Sequence, residues 1–143
     1  LGDVYKRQDV VVTPHVKEFS RLTGRSVEEI ENDMICSAKA FAKEYGVTVL
    51  LKSAVSVVAG KEGVLLNTTG NSGMAKGGSG DVLSGAVAGI AARGFPAFDA
   101  AAAGAFLCGL AGDLAAKEQN EYTITPSDTV AHFSQAIDEI ADS

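Results

Sequence analysis

Two short runs of consecutive apolar residues constrain the fold of this chain most. The first lies within residues 9–13 and stops at Pro14, and the second is residues 47–51. Short runs that are apolar at successive positions are typical of strands buried on both faces in a parallel sheet, whose strands are joined by helical crossovers. The 143 residues are 46% hydrophobic, which suffices for one domain with a core. We therefore expect an α/β fold with a mostly parallel sheet.

Helix signals lie between these two strands. Residues 16–22 predict a short helix that ends at Gly24, since glycine favours the left-handed turn after a helix. Ser26 and Glu29 form a capping box, in which hydroxyl and carboxylate each bond a backbone N–H of the first turn. This box predicts the start of a longer helix that reaches about residue 45.

A hairpin and three helices are predicted in the second half. Residues 55–59 and 64–67 flank a turn-like segment, which indicates an antiparallel pair of strands. The first two of these helices are dense in alanine and glycine, with Gly85 and Gly89 four residues apart, so they can pack unusually close to a neighbouring helix or sheet. The order of elements favours an α/β sandwich. The helices are expected at residues 79–92, 97–117 and, beginning after Thr125, 126–140.

The first eight residues, LGDVYKRQ, match an artificial sequence. They are the translation of CTCGGAGATGTGTATAAGAGACAG, a transposase adapter used to fragment DNA for sequencing. We interpret residues 1–8 as an adapter scar and residues 9–143 as the C-terminal part of a longer domain, with its N-terminal part missing. A natural segment that matches by coincidence is the alternative.

Charge and composition exclude several partners and locations. A net charge of −6 leaves no basic face for nucleic acid. The most apolar run, residues 100–112, is shorter than the roughly 20 residues of a membrane span, so we expect a buried helix and no membrane partner. Cys36 and Cys108 are interpreted as small core residues in a reducing compartment. Without a recognisable secretory signal, we expect a cytoplasmic protein.

The stretch NTTGNSGMAKGGSGD, residues 67–81, is the strongest candidate for a functional site. Gly77, Gly78 and Gly80 come just before a predicted helix, where free N–H groups and the positive end of the helix dipole favour an anion. A Walker A loop requires lysine where Ser79 stands, and a dinucleotide-binding fingerprint requires glycine where Leu83 stands. The alternative is an ordinary glycine-rich cap.

Asp81 is unexpected beside an anion site, because a carboxylate repels a bound phosphate. Its position is explained if it accepts the proton of a hydroxyl that attacks phosphorus. The glycine amides would then stabilise the charge of the transferred group. The residues therefore favour phosphoryl transfer, with a first-turn acid placed by the helix dipole as the alternative.

Four segments, taken together, resemble one family. They are TPHVKEFSRL at residues 13–22, VLLKSAVSVV at 49–58, GNSGMAKGGSGDVLSG at 70–85 and AAAAGAFLCGLAGDLAA at 100–116. With these segments the chain is similar to the ribokinase-like ADP- or ATP-dependent NAD(P)H-hydrate dehydratases, which return hydrated nicotinamide cofactors to NADH and NADPH. The resemblance implies a ribokinase-like three-layer α/β sandwich.

The resemblance also implies the roles of individual residues. His15 would contact the hydrated cofactor, and Asp81 would meet its hydroxyl as the catalytic base. Two positions depart from the family pattern: Ser53 replaces the usual glycine, and Lys76 stands where threonine is frequent, adding a cation beside the phosphates. The residues expected around the nucleotide are Lys52, Ser53, Ala54, Val55, Ser56, Gly77, Gly78, Ser79 and Gly80.

The same resemblance implies the partners. ADP or ATP would be consumed, with Mg²⁺ as its companion, although the sequence itself predicts no dedicated metal cluster. The substrates would be NADHX and NADPHX, the S form being the one dehydrated. The family also leads us to expect a homotetramer and allows a fused upstream NAD(P)H-hydrate epimerase domain. Two alternatives stay open: a ribokinase-like kinase of a small alcohol or vitamin precursor, and an inactive or merely nucleotide-binding truncated fragment.

Overall fold

A four-stranded sheet organises residues 9–143, the part of the chain that the computed structural model describes. The strands are β1 (Val11–Val12), β2 (Thr48–Leu51), β3 (Ser56–Gly60) and β4 (Gly63–Asn67), in that spatial order. β1 pairs with β2 in parallel, whereas β2, β3 and β4 pair antiparallel. The described sheet is therefore mixed rather than mostly parallel, because the confirmed hairpin β3–β4 and the β2–β3 pair make two of its three pairings antiparallel. The prediction for residues 1–8 concerns residues outside this part and stays a prediction.

Both faces of the sheet are covered by helices, which confirms the three-layer α/β sandwich. Alternate residues of β2 point to opposite faces. Val49 and Leu51 pack with Phe19 and Ile30 in one core cluster. Leu50, between them, packs with Val87 and the long apolar helix in another. A strand apolar at successive positions is thus buried from both sides, as its sequence predicts.

The first helical layer consists of α1 (Val16–Thr23), α2 (Val27–Asn32) and α3 (Met34–Tyr45). The capping box of Ser26 and Glu29 is present. The single helix predicted after it is wrong, because Asp33 leaves the helical region and its carboxylate caps α3 by accepting the Cys36 N–H at 3.0 Å. Cys36 is exposed, contrary to its interpretation as a core residue. Cys108 is buried, and burial raises the pKa of its thiol to about 11.

The second layer consists of α4 (Ser79–Ala92), α5 (Ala97–Glu118), α6 (Pro126–Ala131) and α7 (Phe133–Ala141). α5 has the length and hydropathy of a membrane span, but 61% of its apolar window is buried inside the protein, as expected of a core helix. The close packing predicted for the two alanine- and glycine-rich helices, α4 and α5, is present, but not at Gly85 and Gly89, where a Cβ would meet no neighbouring atom within 4 Å. The close contact occurs at Gly104 of α5, where an added Cβ would overlap Val87.

The last predicted helix is interrupted at His132, which ends α6 and precedes α7. Its Nδ1 lies 2.7 Å from the Asp128 carbonyl oxygen and its Nε2 lies 3.0 Å from Glu118 Oε2. Both ring nitrogens face acceptors, which favours the charged imidazolium. The hydrogen bond to the Asp128 carbonyl, aided by the Glu118 carboxylate and opposed by partial burial, raises the pKa of His132 above 6.5.

We expect the free energy of unfolding to fall as the pH rises through the folded-state pKa of His132. A raised folded-state pKa contributes stability that is complete below the unfolded value of about 6.5 and disappears above the folded value. Chemical denaturation between pH 5.5 and 8.5, values chosen to bracket that transition, measures the effect. His132→Gln should flatten this part of the profile, and an unchanged slope in that variant would contradict the assignment.

Candidate active site

The sheet brings the ends of β1 and β2 together. Pro14 and His15 follow β1, and Lys52 follows β2. The Lys52 N–H donates to the Pro14 carbonyl at 2.9 Å, and His15 and Lys52 form an isolated parallel bridge. The carboxyl ends of parallel strands are where α/β sheets bind ligands. Two residues that lie 37 positions apart in the sequence are thereby neighbours at this edge.

His15 is both the N-cap of α1 and a half-exposed side chain at this edge. Its Nδ1 accepts the Glu18 N–H at 3.1 Å, while the His15 N–H donates to Glu18 Oε2 at 2.8 Å. The bond from the His15 N–H to the Glu18 carboxylate lowers the pKa of Glu18. Because Nδ1 acts as an acceptor, the neutral ring carries its hydrogen on Nε2, which lies 3.4 Å from Glu18 Oε1. The capping box therefore fixes the orientation of the imidazole.

The side chain of Lys52 reaches from the sheet to the start of α4. Its Nζ lies 3.5 Å from the place that a Cβ on Gly80 would take. Asp81, the next residue, is exposed, and no hydrogen bond or ion pair among residues 9–143 engages its carboxylate. A cation, a glycine backbone and an uncommitted carboxylate therefore meet at one helix entrance.

The glycine loop, residues 77–80, enters α4 through Gly78. The φ of Gly78 is +96°, a conformation that residues with side chains disfavour. The Ser79 N–H donates to the Lys76 carbonyl, and the Asp81 N–H donates to the Gly78 carbonyl. Within residues 9–143, no hydrogen-bond acceptor is bonded to the N–H groups of Gly77, Gly78 and Gly80. The loop therefore offers three available backbone donors at the positive end of the α4 dipole.

Gly77 and Gly80 are not required by the protein's own packing. Neither has a φ in the left-handed range. A Cβ at Gly77 would meet no atom within 4 Å, and one at Gly80 would meet Lys52 Nζ at an ordinary distance. Glycine at these positions leaves the backbone open to the close approach of a ligand.

The turn of residues 53–56, expected to lie around the nucleotide, is held by its own bonds. The Ser53 N–H donates to Ser56 Oγ at 3.3 Å, and the Ser56 hydroxyl donates to the Ser53 carbonyl at 3.2 Å. Ala54 and Val55 are exposed. Ser53 has no positive φ, so the replacement of the family's glycine causes no backbone strain here. Among the described residues, no hydrogen bond joins this turn to the glycine loop.

Lys76 is not the phosphate-facing cation that the sequence predicts. Its Nζ donates to the carbonyl oxygens of Tyr122 and Ile124, in the connection between α5 and α6. The ammonium is therefore committed to the protein backbone. Lys76 and these carbonyl groups lie 46 and 48 residues apart in the sequence, so no local sequence pattern indicates the contact.

The described residues contain no cluster of three or more His, Cys, Asp or Glu side chains arranged to hold a metal ion. Mg²⁺ is commonly held by one or two carboxylates together with substrate phosphates and waters. The exposed Asp81 beside the glycine amides fits a metal that arrives with a nucleotide.

This geometry defines a class of protein: a three-layer α/β domain whose glycine–aspartate helix entrance is suited to phosphoryl transfer. The sequence profile of the NAD(P)H-hydrate dehydratase family matches residues 3–135. The chain belongs to this family, and its fold is ribokinase-like.

Three relatives illustrate the match. The bifunctional NAD(P)H-hydrate repair enzyme Nnr of Moorella thermoacetica is 43% identical over 83% of this chain and 23% of its own length. The ADP-dependent (S)-NAD(P)H-hydrate dehydratase of Cenarchaeum symbiosum is 41% identical over 90% and 44%. The Bacillus subtilis ADP/ATP-dependent NAD(P)H-hydrate dehydratase, co-crystallised with ATP/Mg²⁺, superposes with a TM-score of 0.87, at 30% identity over 92% and 48%. The chain thus spans less than half the length of each of these relatives.

Proposed function

We propose that the full-length gene product containing these residues is a nucleotide-dependent (S)-NAD(P)H-hydrate dehydratase. The observation that carries the proposal is the helix entrance at which three available glycine N–H groups adjoin the uncommitted carboxylate of Asp81. Lys52 supplies a cation beside it, and the oriented His15 lies at the same sheet edge. Membership of the dehydratase family supports the choice of substrate.

The first step is phosphoryl transfer to the hydroxyl of the hydrated cofactor. Asp81 accepts the hydroxyl proton while the oxygen forms a bond to the terminal phosphorus of ADP or ATP, and the bond to the bridging oxygen breaks. AMP or ADP leaves with that electron pair. The N–H groups of Gly77, Gly78 and Gly80 stabilise the charge on the transferred group, and Lys52 adds to this stabilisation. Mg²⁺, when bound, neutralises phosphate charge.

The second step is elimination. Hydroxide is a poor leaving group, whereas phosphate leaves readily when the carbon–oxygen bond breaks. The lone pair of the ring nitrogen assists this departure, and loss of a proton from the neighbouring carbon restores the double bond of the dihydronicotinamide. The protein therefore needs to supply positioning, a base and anion stabilisation, which are the elements the site contains.

Product analysis with hydrated NADH tests the proposal. The full-length protein, Mg²⁺ and ADP or ATP should regenerate NADH absorbance with equimolar release of phosphate, and comparison of the two nucleotides identifies the donor. Accumulation of a stable phosphorylated alcohol would favour a kinase instead. Nucleotide binding without turnover of either kind would favour a binding fragment.

Gly80→Ala should weaken nucleotide binding at least about tenfold without lowering thermal stability. The added methyl group occupies the space that a phosphate needs beside Lys52, whereas alanine at this helical position improves helix propensity. Isothermal titration with ADP and a thermal melt measure the two effects. Gly85→Ala is the matched control on the same helix, with open space and no ligand role. Equal ADP affinity in both variants would contradict the placement of the phosphate.

The remaining properties extend the proposal to the whole protein. We expect a cytoplasmic homotetramer, for which light scattering of the purified gene product is the test. The bifunctional relatives make a fused epimerase domain reasonable. Interconversion of the R and S hydrates by the same gene product would support such a domain.

A further inference from the structure

The segment that leads from β4 to the glycine loop lies against α5 along two helical turns. We name residues 68–76 the approach segment. The Thr69 hydroxyl donates to the Phe106 carbonyl at 3.1 Å. Cβ atoms added at Gly109 and Gly112 would overlap Thr69 and Met74, respectively. Gly109 and Gly112 therefore leave room on the helix for the approach segment, and at Gly109 the two backbones meet closely.

Asp113 fixes the beginning of this segment. Its Oδ2 accepts the Gly70 N–H at 2.9 Å, and its Oδ1 accepts a hydrogen from Asn71 Nδ2 at 2.9 Å. Asn71 Oδ1 in turn accepts the Gly73 N–H at 3.1 Å. One carboxylate on α5 thus sets the conformation of the short 3₁₀ turn Ser72–Met74 that follows. Charge-assisted bonds of this kind are stronger than neutral ones.

Lys76 fixes the end of the segment. Its ammonium donates to the carbonyls of Tyr122 and Ile124, and its own carbonyl accepts the Ser79 N–H at 3.2 Å. Pro126, at the start of α6, stands 3.3 Å from the place that a Cβ on Gly78 would take. The glycine loop is therefore confined between the approach segment and the connection that precedes α6.

We propose that Asp113 and Lys76 are positioning residues that hold the glycine loop in its anion-binding conformation from its two sides. The Asp113 carboxylate is bonded to Gly70 and Asn71, and the Lys76 ammonium is bonded to backbone carbonyls, so in this proposal both act through the loop. Anion stabilisation depends on donors that are already in place before the reaction, and a small displacement lowers its effect strongly. This inference rests on the proposed nucleotide site.

Four variants in the full-length protein test the proposal. Lys76→Met removes the ammonium and keeps most of the stem, whereas Lys76→Arg retains two donors for the carbonyls. Asp113→Asn leaves one acceptor and places an amide nitrogen against a donor. Lys61→Met, in the exposed hairpin turn, is the control for loss of one lysine, and it should behave as wild type.

Lys76→Met and Asp113→Asn should raise the ADP dissociation constant about tenfold and accelerate amide exchange at residues 77–80 in the nucleotide-free protein. Lys76→Arg should restore both, and the KM for hydrated NADH should change little. A melting temperature that falls with unchanged ADP affinity and unchanged loop exchange would overturn the proposal, since that is the behaviour of a purely structural contact. If Asp113→Asn does not fold, the two Lys76 variants decide the outcome.

The binding and exchange measurements separate this inference from the proposed enzyme activity. A protein that binds ADP through the loop but does not dehydrate the hydrate would disprove the proposed function and leave the positioning roles testable. A protein that dehydrates the hydrate, but whose ADP affinity is unchanged in the Lys76 and Asp113 variants, would support the proposed function and disprove the positioning roles.

Discussion

Asp81→Asn should lower kcat for dehydration by a factor of about 10² to 10⁴ while leaving ADP binding intact or slightly tighter. The amide keeps the size of the side chain but cannot accept the proton of the attacking hydroxyl. It also removes a negative charge beside the phosphates, so the affinity for the nucleotide is not expected to fall. Rapid-quench kinetics of phosphate formation and titration with ADP measure the two quantities.

Asp99→Asn is the matched control for that result. Asp99 is also an exposed acid in the first turn of a long helix, so it has the same favourable interaction with a helix dipole. It lies at the start of α5, outside the proposed site. Unchanged turnover in Asp81→Asn would eliminate the proposed base, and equal losses in both variants would indicate that helix stability is responsible.

Gly109→Ala should lower the free energy of unfolding by about 2 kcal/mol, although alanine favours helices. Overpacking a filled interior costs up to about 3 kcal/mol, and alanine returns about 1 kcal/mol of helix propensity. The steric term wins because the new Cβ would lie 2.6 Å from the carbonyl carbon of Thr69, a backbone atom that cannot move by changing a rotamer. Urea denaturation measures the difference.

Gly89→Ala supplies the opposite expectation from the same type of substitution. A Cβ at this position of α4 would meet no atom within 4 Å. The variant should therefore gain about 0.5 to 1 kcal/mol from helix propensity alone. If Gly109→Ala raises the free energy of unfolding as Gly89→Ala does, the close contact between α5 and the approach segment is contradicted.

Local sequence signals predicted many element boundaries well, and failed where a helix is interrupted without glycine or proline. The α4 range, Ser79–Ala92, agrees with its prediction, because the glycine loop marks its start clearly. Asp33 and His132 are interruptions inside segments whose apolar periodicity continues, so the sequence suggested one helix in each place. Glycines in a helix indicated that close packing is possible, but only tertiary structure selects Gly104 over Gly85.

The sequence predicted the residues of the proposed site, but it did not predict the bonds that hold the glycine loop in place. The glycine–aspartate pattern indicated an anion and a base from chemistry alone, and the family resemblance added His15 and Lys52. The bonds of Asp113 and Lys76 connect residues far apart in the sequence, and their partners are mostly backbone groups. A backbone acceptor carries no residue-type signal, so the sequence could not assign Lys76 to the carbonyls instead of the phosphates.

The anchors of the approach segment also bear on the order in which the molecule folds. Gly70 has a hydrogen-bond partner 43 residues downstream, and Lys76 has one 48 residues downstream. Contacts that close such long stretches of chain form late, after the entropy of closing them has been overcome. We therefore expect the glycine loop to take its proposed anion-binding conformation only when α5 and the connection that follows it have docked, which would place nucleotide affinity among the last properties gained during folding.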